Sequence, residues 1–248
     1  IYSIIHPLKS KSIMLYKIKN EVFRVLTFIL AATLEIGVYY TFPAETITLH
    51  NRTGAVQIEK QGLNIETNIQ KMLREAQNLI NKEAFGERKA VELKPKFIKY
   101  WRVENPSAYH DKNRLHAIDL DLVWSDFIAL TAAKENKSDV SLLLFSSDVV
   151  HFNKELGRKT RASGFHRLDM IVLANYDLAS PATRYSLMLN HEIGHYFDLN
   201  HTDAEECKKI YYVMCAVMSF YNTVFDKALK KAWRDFYFAR TGQRFQPR

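Results

Sequence analysis

Eleven consecutive residues, His191-Glu192-Ile193-Gly194-His195-Tyr196-Phe197-Asp198-Leu199-Asn200-His201, carry three imidazoles and one carboxylate at spacings that suit a catalytic metal. On a helix, His191 and His195 leave the same face one turn apart and can reach one ion. Glu192 is offset from that face, which suits a general base that must reach a metal-activated water without taking a coordination position. His201 lies too far along to continue the face, so the chain must leave the helix and turn back. Three neutral imidazoles then leave one position of a tetrahedral zinc open to water. Zinc lowers the pKa of such a water from about 15.7 to about 7 and polarises a carbonyl, while Glu192 takes the proton and passes it to a leaving amine. The plain alternative is a buried helix that carries these four residues by coincidence. The fixed spacing of all four favours the metal site.

The run resembles the extended zinc signature of the metzincin metallopeptidases, HExxHxxGxxH followed by a Met-turn, with Asp198 where that pattern has Gly. At this point the helix ends and the backbone turns left-handed, which Asp tolerates better than most residues though less well than Gly. The resemblance implies a zinc-dependent endopeptidase with one catalytic Zn2+ on His191, His195 and His201, and Glu192 as base. It also implies a methionine floor beneath the metal. Met218 is the first choice, because Cys215-Ala216-Val217-Met218-Ser219 is similar to the Cys-x-Met stretch of the reprolysin (adamalysin, ADAM-type) branch with one residue inserted. Met214 is the alternative. The residues after Met218, such as Phe220 and Tyr221, are implied for the specificity pocket. A competing reading takes Asp198 as a sign of an impaired centre, making the chain a catalytically weak metzincin-fold secreted binding protein.

Positioning this site requires an α/β (α+β) framework: a twisted mixed sheet, a zinc helix and a smaller C-terminal subdomain. Residues 33–40 read as a first strand, and 68–85 as a helix with Ile69, Met72, Leu73, Ala76, Leu79 and Ile80 on one stripe. A second strand over 91–101 contains Pro95, which belongs at an edge or a bulge. A helix over 119–134 places Leu122, Phe127, Leu130 and Ala133 on its stripe, and 140–145 is a short buried strand. Residues 162–165 and 169–174 fall where the resemblance implies an edge strand bordering the cleft. Ser163 and Gly164 are the expected contacts to a substrate strand, with Gly164 admitting close backbone approach. Ser180 and Pro181 suit the N-cap and first position of the zinc helix, which runs to about Asp198. A last helix covers 223–239.

The chain has 248 residues, 47% of them apolar, without repeats or a Pro/Gly-rich linker. We expect an N-terminal extension over 1–32, read as a signal peptide or pro-segment remnant, and one catalytic domain over 33–248. The apolar run 25–32 after Lys17, Lys19 and Arg24 suits a signal peptide, and equally the core of the first strand. Cys207 and Cys215 are the only cysteines. An even pair fits a disulfide and a secreted protein, and two buried thiols are the alternative. The other histidines (His6, His50, His110, His116, His151, His166) show no ligand spacing. Net charge is +8, and Lys227, Lys230, Lys231, Arg234, Arg240, Arg244 and Arg248 cluster near the C-terminus among Trp233, Phe236 and Tyr237. That pattern fits a polyanion partner such as a sulfated glycan, or more simply an amphipathic helix with a solvated face. No specific nucleic-acid motif is present. A peptide or protein substrate and a monomer are expected.

Overall fold

Two runs, Val140–Phe145 and Met170–Leu173, are apolar at every position but Ser141, the pattern of strands covered on both faces. The computed structural model, which describes residues 31–41, 55–101, 110–111, 114–145, 148–153, 157–176, 182–216 and 222–245, places both inside one sheet. In chain order the elements are β1 (Ala32–Thr41), α1 (Ala55–Phe85), β2 (Val91–Tyr100), β3 (His110–Asp111), β4 (Arg114–Asp119), α2 (Leu120–Ala132), β5 (Val140–Phe145), β6 (Val149–Asn153), β7 (Arg158–Ala162), β8 (Gly164–Arg167) and β9 (Met170–Leu173). The zinc helix α3 (Ala182–Tyr196), the short α4 (Ala204–Cys207) and α5 (Lys227–Thr241) follow. The architecture is mixed α/β, as expected.

The main sheet runs β2-β1-β5-β9-β8, parallel except for the β8–β9 hairpin. Strand alternation divides its side chains between two cores. Leu34, Ile36, Val38, Leu142, Leu144, Ile171 and Leu173 join Ile69, Met72, Leu73, Ala76 and Ile80 of α1, Leu189 and Ile193 of α3, and Leu229 and Trp233 of α5. On the opposite face Tyr39, Leu143, Phe145, Met170 and Val172 pack with Leu120, Val123, Trp124 and Phe127 of α2. A second sheet, β3-β4-β6-β7, has no counterpart in the sequence reading. Its short strands are too polar to carry a clear period of two.

Most elements form where their patterns place them, with three physical corrections. The first helix starts well before residue 68, since no proline interrupts the stretch from Ala55 to Phe85. In α2 the buried stripe is Leu120, Val123, Trp124 and Phe127, whereas Leu122 is 47% exposed. Asp119 caps that helix by accepting from the Asp121 N–H, and the stripe at i, i+3, i+4 and i+7 packs on the sheet. The last helix begins at Lys227 and not at 223, because the Asp226 carboxylate accepts from Leu229 N at 2.7 Å. Pro95 stands on the outer strand of the main sheet and at a register shift, opposite Ile36/Gly37. An edge and a bulge are the two settings a proline tolerates in a sheet. Ser180 and Pro181 lie outside the described residues. Among the described residues no helix is long and apolar enough to cross a membrane.

α5 shows why its aromatic and basic residues alternate. Trp233 and Tyr237 are buried in the core, while Lys230 pairs with Glu83 at 3.3 Å, Lys231 with Asp235 at 2.5 Å and Arg240 with Asp139 at 2.6 Å. Arg234 donates to Ala84 O at 2.9 Å.

One buried amide ties α1 to the sheet. Asn81 donates to Val91 O at 2.9 Å and accepts from Ala90 N at 3.0 Å and Val91 N at 2.9 Å. Asn81→Ala would orphan the buried N–H and carbonyl of Val91 where β2 begins, while Ala90 N–H keeps its bond to Arg88 O at 2.8 Å. We expect a loss of about 2–4 kcal/mol in chemical denaturation despite the better helix propensity of Ala.

Candidate metal centre

Helix α3 ends by a backbone device that delivers the third histidine. Asp198 adopts φ +59°, the left-handed conformation anticipated for this position. Leu199 N–H then donates to Gly194 O at 3.1 Å and Asp198 N–H to His195 O at 2.9 Å, the paired bonds of a Schellman cap. The chain reverses, and His201 returns to the two helical histidines.

The three rings converge. His195 Nε2 lies 3.2 Å from His191 Nε2 and 3.2 Å from His201 Nε2, and one ligand atom from each ring falls within 4.8 Å of the others. Zn–N bonds of about 2.0–2.1 Å in a tetrahedron separate neighbouring nitrogens by about 3.3 Å, so the spacing fits zinc. His191 Nδ1 is 2.7 Å from Val213 O, and His195 Nδ1 is 2.8 Å from Leu199 O. A carbonyl only accepts, so both Nδ1 atoms carry the proton and both neutral rings present a bare lone pair at Nε2. Two such lone pairs cannot hydrogen-bond to each other. Their approach is favourable only around a cation, and three imidazoles with an open fourth position are a zinc donor set.

Electrostatics favours the neutral ligand form. Burial, and after it the neighbouring imidazoles, bring His191 down to about 4 against the opposing Val213 hydrogen bond. Burial and His195 also lower His201, the exposed member of the trio. Glu192 is buried, and the loss of water around its carboxyl raises it to about 8 in the metal-free site.

Two glycines shape the surroundings. A Cβ on Gly164 would fall on Glu192 Oε1 and within 2.9 Å of its Cδ, so the bare backbone where β8 begins is what leaves room for the carboxylate. The sequence reading took Gly164 as room for another backbone. In the structure the neighbour in that space is the glutamate. A Cβ on Gly194 would fall inside the Met214 thioether, with Cε at 2.8 Å. Met214 is fully buried beneath the zinc helix, and its carbonyl accepts from Thr202 N at 2.8 Å, next to His201. Met218 lies outside the described residues, as do Phe220 and Tyr221. The sequence assigns no role to Gly194, Leu199 or Val213. A glycine inside a strongly patterned helix was the one available signal, whereas the carbonyls leave none.

β8 is an outer strand of the main sheet. Ala174 N donates to Ser163 O at 2.9 Å, making 163/174 a hydrogen-bonded pair. Antiparallel alternation then turns the N–H and C=O of Gly164, paired with Leu173, away from β9. The carbonyl of Ser163 is spent inward, while the backbone of Gly164 faces outward next to Glu192.

Cys207 and Cys215 form a disulfide, joining α4, just after His201, to the segment of Val213 and Met214.

No protein-family model matches the sequence, and no curated protein matches it. Among solved structures, the chain is similar to an archaemetzincin from Methanopyrus kandleri at 14% identity, covering 83% of this chain and 96% of that one with a TM-score of 0.49. It is also similar to a zinc-dependent peptidase from Methanocorpusculum labreanum at 14% identity, covering 79% and 99% with a TM-score of 0.46. Overlap at this level says nothing about chemistry.

The metal-free protein has a pH dependence set by opposed shifts. His191 is depressed from 6.5, so its contribution is present above 6.5 and is lost as pH falls towards 4. Glu192 is raised from 4.5, so its contribution is present below 4.5 and is lost as pH rises through 8. Between pH 4.5 and 6.5 the two oppose each other; from 6.5 to 8 only Glu192 acts, costing about 2 kcal/mol. We expect the urea midpoint of the zinc-free protein to fall over that upper interval. The fall should be absent in Glu192→Gln and suppressed by zinc, since a nearby cation favours the carboxylate.

Proposed function

We propose that this protein is a zinc-dependent endopeptidase of the metzincin type. The observation that carries the reading is the buried carboxyl of Glu192, seated on Gly164 one residue along the helix from the first of three converging imidazoles. His191, His195 and His201 would hold the metal through Nε2. Zinc bound there would supply Lewis acidity, acidifying a water and polarising a peptide carbonyl.

The chain's own groups do the remaining work. The Glu192 carboxylate takes a proton from the attacking water and returns it to the leaving nitrogen. A cation bound beside it would favour the carboxylate form that accepts this proton. The outward N–H and C=O of Gly164 offer an extended peptide a place beside β8 as an added strand, which supports a preference for unfolded segments of peptide or protein. Met214 is the methionine that serves as the apolar floor under the helix. The reprolysin branch of the family rests on the Cys215-to-Met218 stretch, of which Cys215 and Ala216 are described. Asp198 takes the turn that glycine takes in the signature, so nothing in the helix end favours an impaired centre. The disulfide supports an oxidising, secretory location.

The test is hydrolysis of a quenched peptide library. Wild-type cleavage should be abolished by a zinc chelator and restored by zinc. Glu192→Ala should lower kcat/KM by about 10²–10⁴-fold with zinc content unchanged. Gly164→Ala, which pushes the carboxylate aside, should cost about 10²-fold with zinc retained. Wild-type turnover by Glu192→Ala would overturn the assignment.

A further inference from the structure

We propose that the Cys207–Cys215 disulfide is a positioning element of the metal centre, so that the redox state of this one bond sets metal affinity. The inference rests on the three-histidine reading above and adds a regulation to it.

The bond closes a loop of sequence separation 8 whose two ends each carry part of the centre. On the Cys207 side, α4 buries none of its residues, and Ile210 and Tyr211 are exposed. This stretch has almost no apolar anchorage. Thr202 provides polar fastening beside His201, its N–H donating to Met214 O at 2.8 Å and its hydroxyl to Asp226 at 2.8 Å. On the Cys215 side, Val213 O holds the Nδ1–H of His191, and Met214 fills the space under Gly194. The Cys215 side is packed into the core, whereas the Cys207 side is held by the bridge, by Thr202 and by the Tyr211 carbonyl, which accepts from Val224 N at 3.4 Å. Breaking the bridge frees one end of the loop. It thereby loosens the return of His201, while Val213 and Met214 stay packed in the core.

Access fits this role. Cys215 is buried, whereas Cys207 is half-buried on the outer side. The thiolate of a dithiol reductant attacks Cys207 Sγ and forms a mixed disulfide, and Cys215 Sγ leaves with the bonding pair as a thiolate. The second thiolate of the reductant attacks its own sulfur in the mixed disulfide and expels the Cys207 thiolate. The reductant ends as a cyclic disulfide, and two electrons have passed to the protein.

The experiment measures zinc affinity by competition with a chromophoric chelator. Three forms are compared: the oxidised protein, the phosphine-reduced protein with both thiols alkylated, and the Cys207→Ser/Cys215→Ser double variant. The visible spectrum of bound Co2+ is recorded for each. Helical circular dichroism reports whether the fold is kept. We expect folded reduced and variant proteins to bind zinc about 10–100-fold more weakly, the range seen when groups that orient ligands are removed. Their Co2+ bands should be shifted or weakened. A purely structural bridge would lower the melting temperature while leaving zinc affinity and the Co2+ spectrum of the folded protein unchanged, and that result overturns the proposal. Loss of the helical signal on reduction would also overturn it, because the bond would then hold the whole fold. If the oxidised protein binds no zinc, the three-histidine reading itself fails, which separates the two failures.

Discussion

Two backbone carbonyls, Leu199 O and Val213 O, are the constraint on which this site depends. Each accepts the Nδ1 proton of a helical histidine, at 2.8 and 2.7 Å, and thereby fixes which nitrogen of that ring stays bare. Without them, His191 and His195 would be two rotatable rings with a choice of tautomer. With them, two lone pairs meet 3.2 Å apart with no proton to share, an arrangement favourable only around a cation. Neither carbonyl is placed by local helix geometry. The Leu199 carbonyl comes from the left-handed step at Asp198, and the Val213 carbonyl from a segment held by Met214, the Val213 N–H to Val224 O bond and the disulfide.

The sheet contributes the other half of the geometry. β5 and β9 are buried on both faces, so the middle of the main sheet is fixed by its two cores, and the outer strand β8 pairs with β9 beside α3. Along that edge Gly164 seats the Glu192 carboxylate and turns its own backbone outward. One residue thus connects the Glu192 carboxyl on the helix to the outward-facing edge of β8. The segment after α3 returns His201, places Met214 under Gly194 and closes with α5, whose Trp233 and Tyr237 reach the same core as α1 and α3.

The legible part of this protein was the part with periodicity or fixed chemistry. The three histidines and Glu192 stand at spacings that specify a helix and a turn, and Val140–Phe145 could only be a covered strand. The Cys pair pointed to a bridge, though two free thiols remained open until the structure joined Cys207 to Cys215. What escaped was carried by backbone or by packing. The carbonyls of Leu199 and Val213 have no side-chain signature. Gly164 read as room for a strand, because nothing local to it reveals that a glutamate from a distant helix fills the space. The buried face of α2 follows the i, i+3, i+4, i+7 stripe Leu120, Val123, Trp124 and Phe127, which excludes Leu122. The second sheet, with strands such as Arg158–Ala162, is polar enough that only tertiary pairing makes it a sheet.

The most direct test of the central claim is X-ray absorption at the zinc edge of the metal-loaded protein. The account predicts one zinc per chain, with three imidazole nitrogens at about 2.0–2.1 Å, one further light ligand and no sulfur. A six-coordinate oxygen shell, fewer than three imidazoles, or sulfur in the first shell would contradict it.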